Sequence, residues 1–488
     1  MTLNPVGGNL VTNGLLVAIV ILAHIQISAY LIGASTLAII SESVSLVRQR
    51  RGAGGLGDAR HDRLAHGLVK TSVYVFSFGS ALAIFFMVFV LSSVWGKFFV
   101  TFQSVTFWSF FLEALAFFVE VALIYTVYAN WQRLANHRRA RLGLLILLNL
   151  DMWWQMWFID VVASFMLTPN GGDVNYLNQI LNPTQIPLDI HRTVGNIAFT
   201  GAVVAGVAAF KYLRATRRLE AAQRTIAVAA TPAPSVGAMS SAALAAEPHE
   251  AAEARYWDWV AQWGVLFLLG FTLLQPWIGY SYAKEVQLHA YASWFDMMFG
   301  SISNVFLVQI TLLGTIFTLS AAYFWRRMKA AEAPHHRRQG VLVLLLALTT
   351  LWAAQPAWFA WTYDQVVAEH LNYPWWQGGL LNPIGNFIPY KVGALFAMVF
   401  FGLWAITSYL RAYAREELPS GRTGRRAQWL LVGLTVVTSV MMIVMGIIRE
   451  HSRQPYLVNG EITISNQQIT NNQPSLPGGS STSTSPAP

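Results

Sequence analysis

"LDIHRTVGNIAFTGAVVAGVAAFKYL", residues 188–213, decides the fold class. Its opening residues are charged, but between Arg192 and Lys211 there is no ionisable side chain. Lys211 is followed by Arg214, Arg217 and Arg218. A bilayer core of about 30 Å requires about 20 apolar residues in a helix. The stretch meets that length and stops at a basic loop, so it reads as a transmembrane helix. Nine others read the same way, near residues 12–46, 69–95, 105–131, 142–168, 257–281, 300–325, 341–363, 386–410 and 427–449. The expected fold is all-α: a polytopic membrane bundle of about ten transmembrane helices.

Composition agrees. Hydrophobic residues make up 55% of the 488 and charged residues 11%, where soluble proteins carry roughly 25% charged. The charge is also placed in alternation. Five loops hold most of the 32 basic residues. They centre on Arg48 to Arg63, Arg133 to Arg141, Lys211 to Arg255, Arg326 to Arg338, and Arg411 to Arg426. The intervening loops are nearly free of them. This positive-inside pattern puts the basic loops in the cytoplasm and both termini outside. The net charge of +9 therefore reads as topology and contact with the lipid bilayer, with no nucleic acid as partner. No cysteine is present, which excludes disulfides, iron–sulfur clusters and thioether-linked haem on this chain. The N-terminus lacks a basic n-region and an A-x-A site, so the stretch from Leu15 is expected to be a retained helix.

The spans divide the chain into helices one to five (1–214), a cytoplasmic Ala/Pro/Ser-rich linker (215–256), helices six to ten (257–456) and a polar outer tail (457–488) expected to be disordered. A weak internal echo joins "ILNPTQIPLDIHRTVG" (180–195) and "LLNPIGNFIPYKVG" (380–393). Each places Asn-Pro before a helix that enters from the outer face.

Ionisable groups at membrane depth are costly, so each is a candidate functional residue. They are His24, Glu42, Glu113, Glu120, Asp151, Asp160, His191, Arg192, Lys391, Arg449, Glu450 and His451. On the expected topology His24 lies roughly 18 Å into the first span at 1.5 Å per residue. His191 and Glu450 lie near the outer surface, and Met398 occupies the same outer half. Glu113 and Glu120 are seven residues apart and share one helix face, which suits a proton path toward the cytoplasm. Haem suits this set, because its iron takes His and Met ligands. Interhelical hydrogen bonding accounts for a membrane His or acid, core packing accounts for a membrane Met, and a transporter accounts for the buried charges about as well.

The motifs at these positions resemble subunit I of the cytochrome bd-type oxidases. "LNPTQIPLDIHRTVGNIAFTGA" (181–202) is similar to the family's Asn-Pro, spacer and His-Thr-Val segment. That implies His191 as a low-spin haem b ligand. "AFFVE" (116–120) resembles Ala-Phe-Phe-Leu-Glu and implies Glu120 as an acid of the proton route. "FMLTPNG" (165–171) resembles Trp-Met-x-Asn-Pro. "EHSRQPY" (450–456) resembles Glu-x-Gly-Arg-Gln-Pro-Trp, which implies Glu450 as a high-spin haem ligand and Arg453 in the signature's Arg position. By place in the chain, His24 matches the other high-spin haem ligand and Met398 the Met opposite the low-spin His.

There are departures. The family's Phe-Arg-x-Met reads "LFAM" (395–398), with Lys391 as a substitute cation. Glu113 is one residue away from the family's outer Glu. The long quinol-binding loop is replaced by "GYSYAKEVQLHAYASWFDMM" (279–298) and two further spans, and the usual last helix is missing. The resemblance implies a catalytic subunit in a bacterial or archaeal inner (plasma) membrane that reduces O2 to water with cytoplasmic protons relayed by Glu113 and Glu120. It implies low-spin and high-spin haem b, with haem d at a high-spin site left open. A second membrane subunit and a donor, quinol or a cytochrome, are implied as partners. Two other readings stand beside it: a non-catalytic cytochrome b that relays electrons, and a haem-free transporter. Glu42, Asp151, Asp160 and His451 have no assigned role at this stage.

Overall fold

The computed structural model describes residues 10–50, 56–91, 103, 106–168, 176–229, 237–299, 302–354 and 389–452. At several helix ends, among them 226–229, 237–248, 389–392 and 450–452, the description is of backbone alone. Among the described residues thirteen α-helices follow one another: α1 Leu10–Arg50, α2 Leu56–Phe85, α3 Phe107–Ala129, α4 Arg138–Phe165, α5 Tyr176–Ile180, α6 Gln185–Ala229, α7 Gly237–Thr272, α8 Gln275–His289, α9 Tyr291–Phe299, α10 Ser303–Ala330, α11 His336–Ala353, α12 Pro389–Ala414 and α13 Arg425–Ser452. A π-helical turn, Phe86–Leu91, ends α2. Among the described residues nine helical stretches are long and apolar enough to cross a membrane. The expected span at 341–363 begins in α11, and its residues from 355 on lie outside the described residues.

The fold is the expected helical membrane bundle, with differences at its joints. Residues 215–256, read as a linker, are helical through Ala229 and again from Gly237. The Ala-rich sequence on both sides of the Thr-Pro-Ala-Pro stretch favours helix, and Pro does not. The stretch 279–298 is likewise helical. The helix is interrupted by a turn at Leu273 and Leu274, then Pro276 sits in the first turn of α8, where its missing N–H costs nothing.

α6 is the organising helix, and α6 and α7 are the most enclosed of the nine. Their backbones touch. A Cβ on Gly201 would lie 2.5 Å from the Leu268 amide nitrogen and 2.7 Å from the Gly264 carbonyl oxygen. A Cβ on Gly264 would lie 2.6 Å from the Ala205 nitrogen. Without a hydrophobic drive between helices in lipid, such small-residue seams hold bundles together. Gly33 of α1 receives the Thr200 side chain of α6, and that hydroxyl donates to the Tyr30 carbonyl at 3.2 Å. Gly206 of α6 receives Thr435 of α13, whose hydroxyl donates to the Ala202 carbonyl at 2.7 Å. Three neighbours thus close on α6 through one glycine contact each.

Two buried ion networks lie at the end of the bundle that carries the basic loops. In one, Glu42 of α1 accepts from Arg138 at 2.9 Å and from Arg141 at 2.8 Å, while Arg141 also reaches Asp62 at 2.5 Å. The Arg141 guanidinium lies 4.1 Å above the Trp131 ring. This gives Glu42 a structural role. In the other, fully buried Asp258 of α7 pairs with Arg327 of α10 at 2.7 Å. Asp258 also accepts from the Gly421 amide at 2.7 Å and from Gln428 at 3.2 Å. Gly421 holds a positive φ of 91°, which glycine adopts without strain.

Replacing Gly264 with Val is expected to prevent the α6–α7 approach and cost about 3 kcal/mol or more. Gly143→Ala, where a Cβ meets nothing within 4 Å, is expected to leave stability unchanged or raise it by about 0.5–1 kcal/mol. Thermal melts of the detergent-purified variants check both.

Candidate functional site

The first turns of α6 carry most of the chemistry. Asn182 starts the helix: its side-chain oxygen accepts from the Thr184 amide at 3.0 Å and from the Thr168 hydroxyl at 2.6 Å. This knot, with Ser164 donating to Gln185 at 2.7 Å, fixes the helix entry against the end of α4. The Asn-Pro element read in the sequence therefore positions the residues that follow it.

Arg192 is the centre of the cluster. Its guanidinium forms an ion pair with Asp160 of α4, which is fully buried. Asp189, one turn back, faces Asp160 and accepts from Gln185 at 2.8 Å. The charge of Arg192 also acts on His24 of α1, on Glu113 of α3 and on its neighbour His191. Arg449 of α13 acts on His191 too. His24, Glu113 and His191, three of the residues singled out in the sequence, thus lie within electrostatic reach of the partly buried Arg192. Asp160 and Asp189 belong to the same place. Asp160 had been left without a role and Asp189 was not among the candidates, although its spacing to Arg192, a single turn of helix, was a usable signal.

His191 packs against α8. Its ring lies near-parallel to that of Tyr282, with centroids 6.1 Å apart. A Cβ on Gly279 would stand 3.7 Å from its Cε1, so α8 passes close beside the imidazole there. Gln275 donates to the His191 carbonyl at 3.0 Å. The Nδ1 atoms of both His24 and His191 are enclosed without a hydrogen-bond partner among the described residues. Buried polar atoms are normally paired, so neither imidazole is consumed by the protein's own hydrogen bonding at that atom. Two such imidazoles, with arginines beside them, fit a group that takes His ligands and carries anionic substituents.

Glu120 sits elsewhere on α3, in a second polar line. It is buried, and Gln155 of α4 donates to it at 2.8 Å and to Asp151 at 3.2 Å. A single amide therefore joins the two carboxyl groups. Asp151, previously unassigned, gains a partner that sequence spacing shows only in part. The i, i+4 relation to Gln155 is visible in the sequence, but the bridge across to α3 is not.

Met398 of α12 is fully buried. Its Cε lies 3.0 Å from where a Cβ on Gly314 of α10 would stand, and Thr350 of α11 borders the same glycine. The contacts of His191 are with α8, and those described do not join it to Met398. Lys391 and Glu450 lie on the backbones of α12 and α13 with their side chains outside the described residues. Arg453 and the tail beyond it are outside them as well.

Residues 14–254 match the family model described as cytochrome bd terminal oxidase subunit I. Among solved structures the chain is similar to the bd oxidase from Geobacillus thermodenitrificans, at 15% sequence identity and a TM-score of 0.42, over 91% of this chain and 99% of that one. No curated protein matches. The matched region contains His24, Glu113, Glu120 and His191 and ends before Lys391, Met398, Glu450 and Arg453.

Removing one partner of a buried ion pair strands the other and costs about 3–5 kcal/mol. Asp160→Ala is expected to destabilise the purified protein by that amount in a thermal melt. A loss under about 1 kcal/mol would mean that Asp189 alone holds the Arg192 guanidinium.

Proposed function

We propose, from the premise that this chain belongs through residues 14–254 to the cytochrome bd subunit I-type superfamily, that it is the haem-bearing catalytic subunit of an oxidase that reduces O2 to water. The observation that carries this reading is the pair of enclosed imidazoles, His24 and His191, whose Nδ1 atoms have no partner among the described residues and lie within the field of Arg192. The protein is a multi-pass membrane oxidoreductase of the electron-transport type. Its placement in a bacterial or archaeal plasma membrane, with the basic loops in the cytoplasm, is part of the proposal. So are a second membrane subunit and a quinol or cytochrome donor.

His191 and Met398 are the proposed holders of a low-spin haem, and His24 and Glu450 of high-spin haem. Lys391 and Arg453 are assigned to the anionic edge of these groups. Haem bound there would supply electron transfer and an iron that takes O2. The residues of this chain do the rest. Arg192 and Arg449 set a positive potential around the imidazoles, which favours electron entry and binds carboxylate substituents. Reduction of O2 to water consumes one proton for each electron, so the apolar interior must deliver protons. Glu120 holds a proton at the carboxyl that Gln155 contacts. Asp151, joined through the same amide, is the next acid toward the basic-loop end of α4. Glu113, one face and two turns from Glu120, passes the proton toward the Arg192 cluster.

The reduced-minus-oxidised optical spectrum, with and without carbon monoxide, tests the reading. Low-spin b bands with a CO-sensitive high-spin component are expected, and His191→Ala is expected to remove the low-spin bands. Low-spin bands without a CO response would make the chain an electron relay. No Soret absorbance would leave a transporter. In the haem-loaded enzyme, Glu120→Gln is expected to slow O2 consumption on the order of a hundredfold while leaving the spectrum intact. Asp151→Asn and Gln155→Leu are expected to slow it in the same direction.

A further inference from the structure

The bundle has a second built feature, at the basic-loop end between α11 and α12. A pocket of about 110 Å³ opens there, well above the space one water needs. Arg338 of α11, Arg411 and Arg415 at the end of α12, and Ser408 line it, with Glu417 and His335 at its edge. Three guanidinium groups face one carboxylate. The first turn of α11 opens onto the same space through Arg338, adding the partial positive charge of a helix N-terminus.

The pocket is continuous with an apolar seam. Arg338 lies 4.5 Å above the ring of Trp404, and Trp404 meets Phe400 with ring centroids 5.9 Å apart. Phe396 and Phe400 of α12 and Val341 and Leu348 of α11 continue outward on the same helix faces, all about half exposed or more. Arginines, then an indole, then exposed apolar side chains is the order of chemistries met on going from a headgroup layer into hydrocarbon. A soluble anion would use only the first of the three.

We propose that this pocket binds the phosphate headgroup of an anionic phospholipid, with its acyl chains lying along the α11–α12 seam. Basic pockets between helices at a membrane face suit such headgroups. The inference is independent of the oxidase reading, since none of these residues touches the Arg192 cluster or the Glu120–Asp151 line.

The test uses the full-length protein, delipidated in detergent and titrated with phosphatidylglycerol, phosphatidylcholine or inorganic phosphate. Native mass spectrometry reads the bound lipid, and a thermal melt reads its effect. Phosphatidylglycerol is expected to be retained and to raise Tm, and phosphatidylcholine to do neither. Arg411→Gln and Arg415→Gln, both on exposed positions, are each expected to weaken retention about fivefold. Arg139→Gln, on another basic loop, is expected to leave it unchanged. Equal retention of phosphatidylcholine by the unaltered protein would overturn the proposal without recourse to any variant. An equal loss in Arg139→Gln would also overturn it, leaving diffuse surface attraction. Inorganic phosphate reproducing the Tm shift would overturn the lipid assignment in favour of a free anion.

Discussion

The contact of α6 with α7 at Gly201 and Gly264 is the constraint on which the bundle rests. Backbone meets backbone there, with the Gly264 carbonyl where a Gly201 side chain would be. Lipid gives no hydrophobic reward for bringing helices together, so close packing and interhelical hydrogen bonds must supply the energy. α6 uses the same device on its other sides, through Thr200 against Gly33 and through Gly206 against Thr435. Four helices are therefore held at distances that larger residues would not allow. The first turns of α6 inherit that precision. His191 and Arg192 stand about two to four turns from these contacts, so their positions relative to α1, α7 and α13 are set by the glycine seams.

Charge is the second constraint. Three cations have an acid brought to them by a different helix: Arg192 has Asp160, Arg141 has Glu42, and Arg327 has Asp258. Leaving any of them alone in low dielectric would be costly, whereas pairing them roughly breaks even. Two of the three pairs stand at the basic-loop end and bind helices to each other. The third stands among His24, Glu113 and His191 and has a second acid, Asp189, beside it. A structural pair needs only one partner. The surplus of titratable groups around Arg192 is what separates this cluster from the other two.

Much of this was legible beforehand, and for physical reasons. Span length is set by bilayer thickness and orientation by the basic loops, and both are local properties of a sequence. The stretch 188–213 shows each in one line. Asn182 was legible as the start of a helix because its turn is made with Thr184, two residues on. What stayed hidden depends on pairings between distant helices. Arg327 reads as a loop residue, and only its contact with Asp258, 69 positions away, shows that it is buried. Gln155 is neutral and drew no attention, yet its amide connects Glu120 to Asp151. The Ala-rich segment around Pro232 and Pro234 reads as a linker because composition averages over a window, while the helices on either side obey residue-by-residue propensity.

The match to a known family and the departures from it fall on different parts of the bundle. The matched region ends at residue 254, just before α7 turns apolar and enters the α6 seam. On its side lie the acids of both polar lines together with His24, His191 and Arg192, carried by α1, α3, α4 and α6, while α8 and α13 add Tyr282 and Arg449 beside His191. On the other side, α10 and α11 bury Met398 and frame the basic pocket with α12. The two halves communicate at the glycine seam and through α8, where Gly279 and Tyr282 meet His191. α8 is therefore in direct contact with the imidazole proposed to receive the electron.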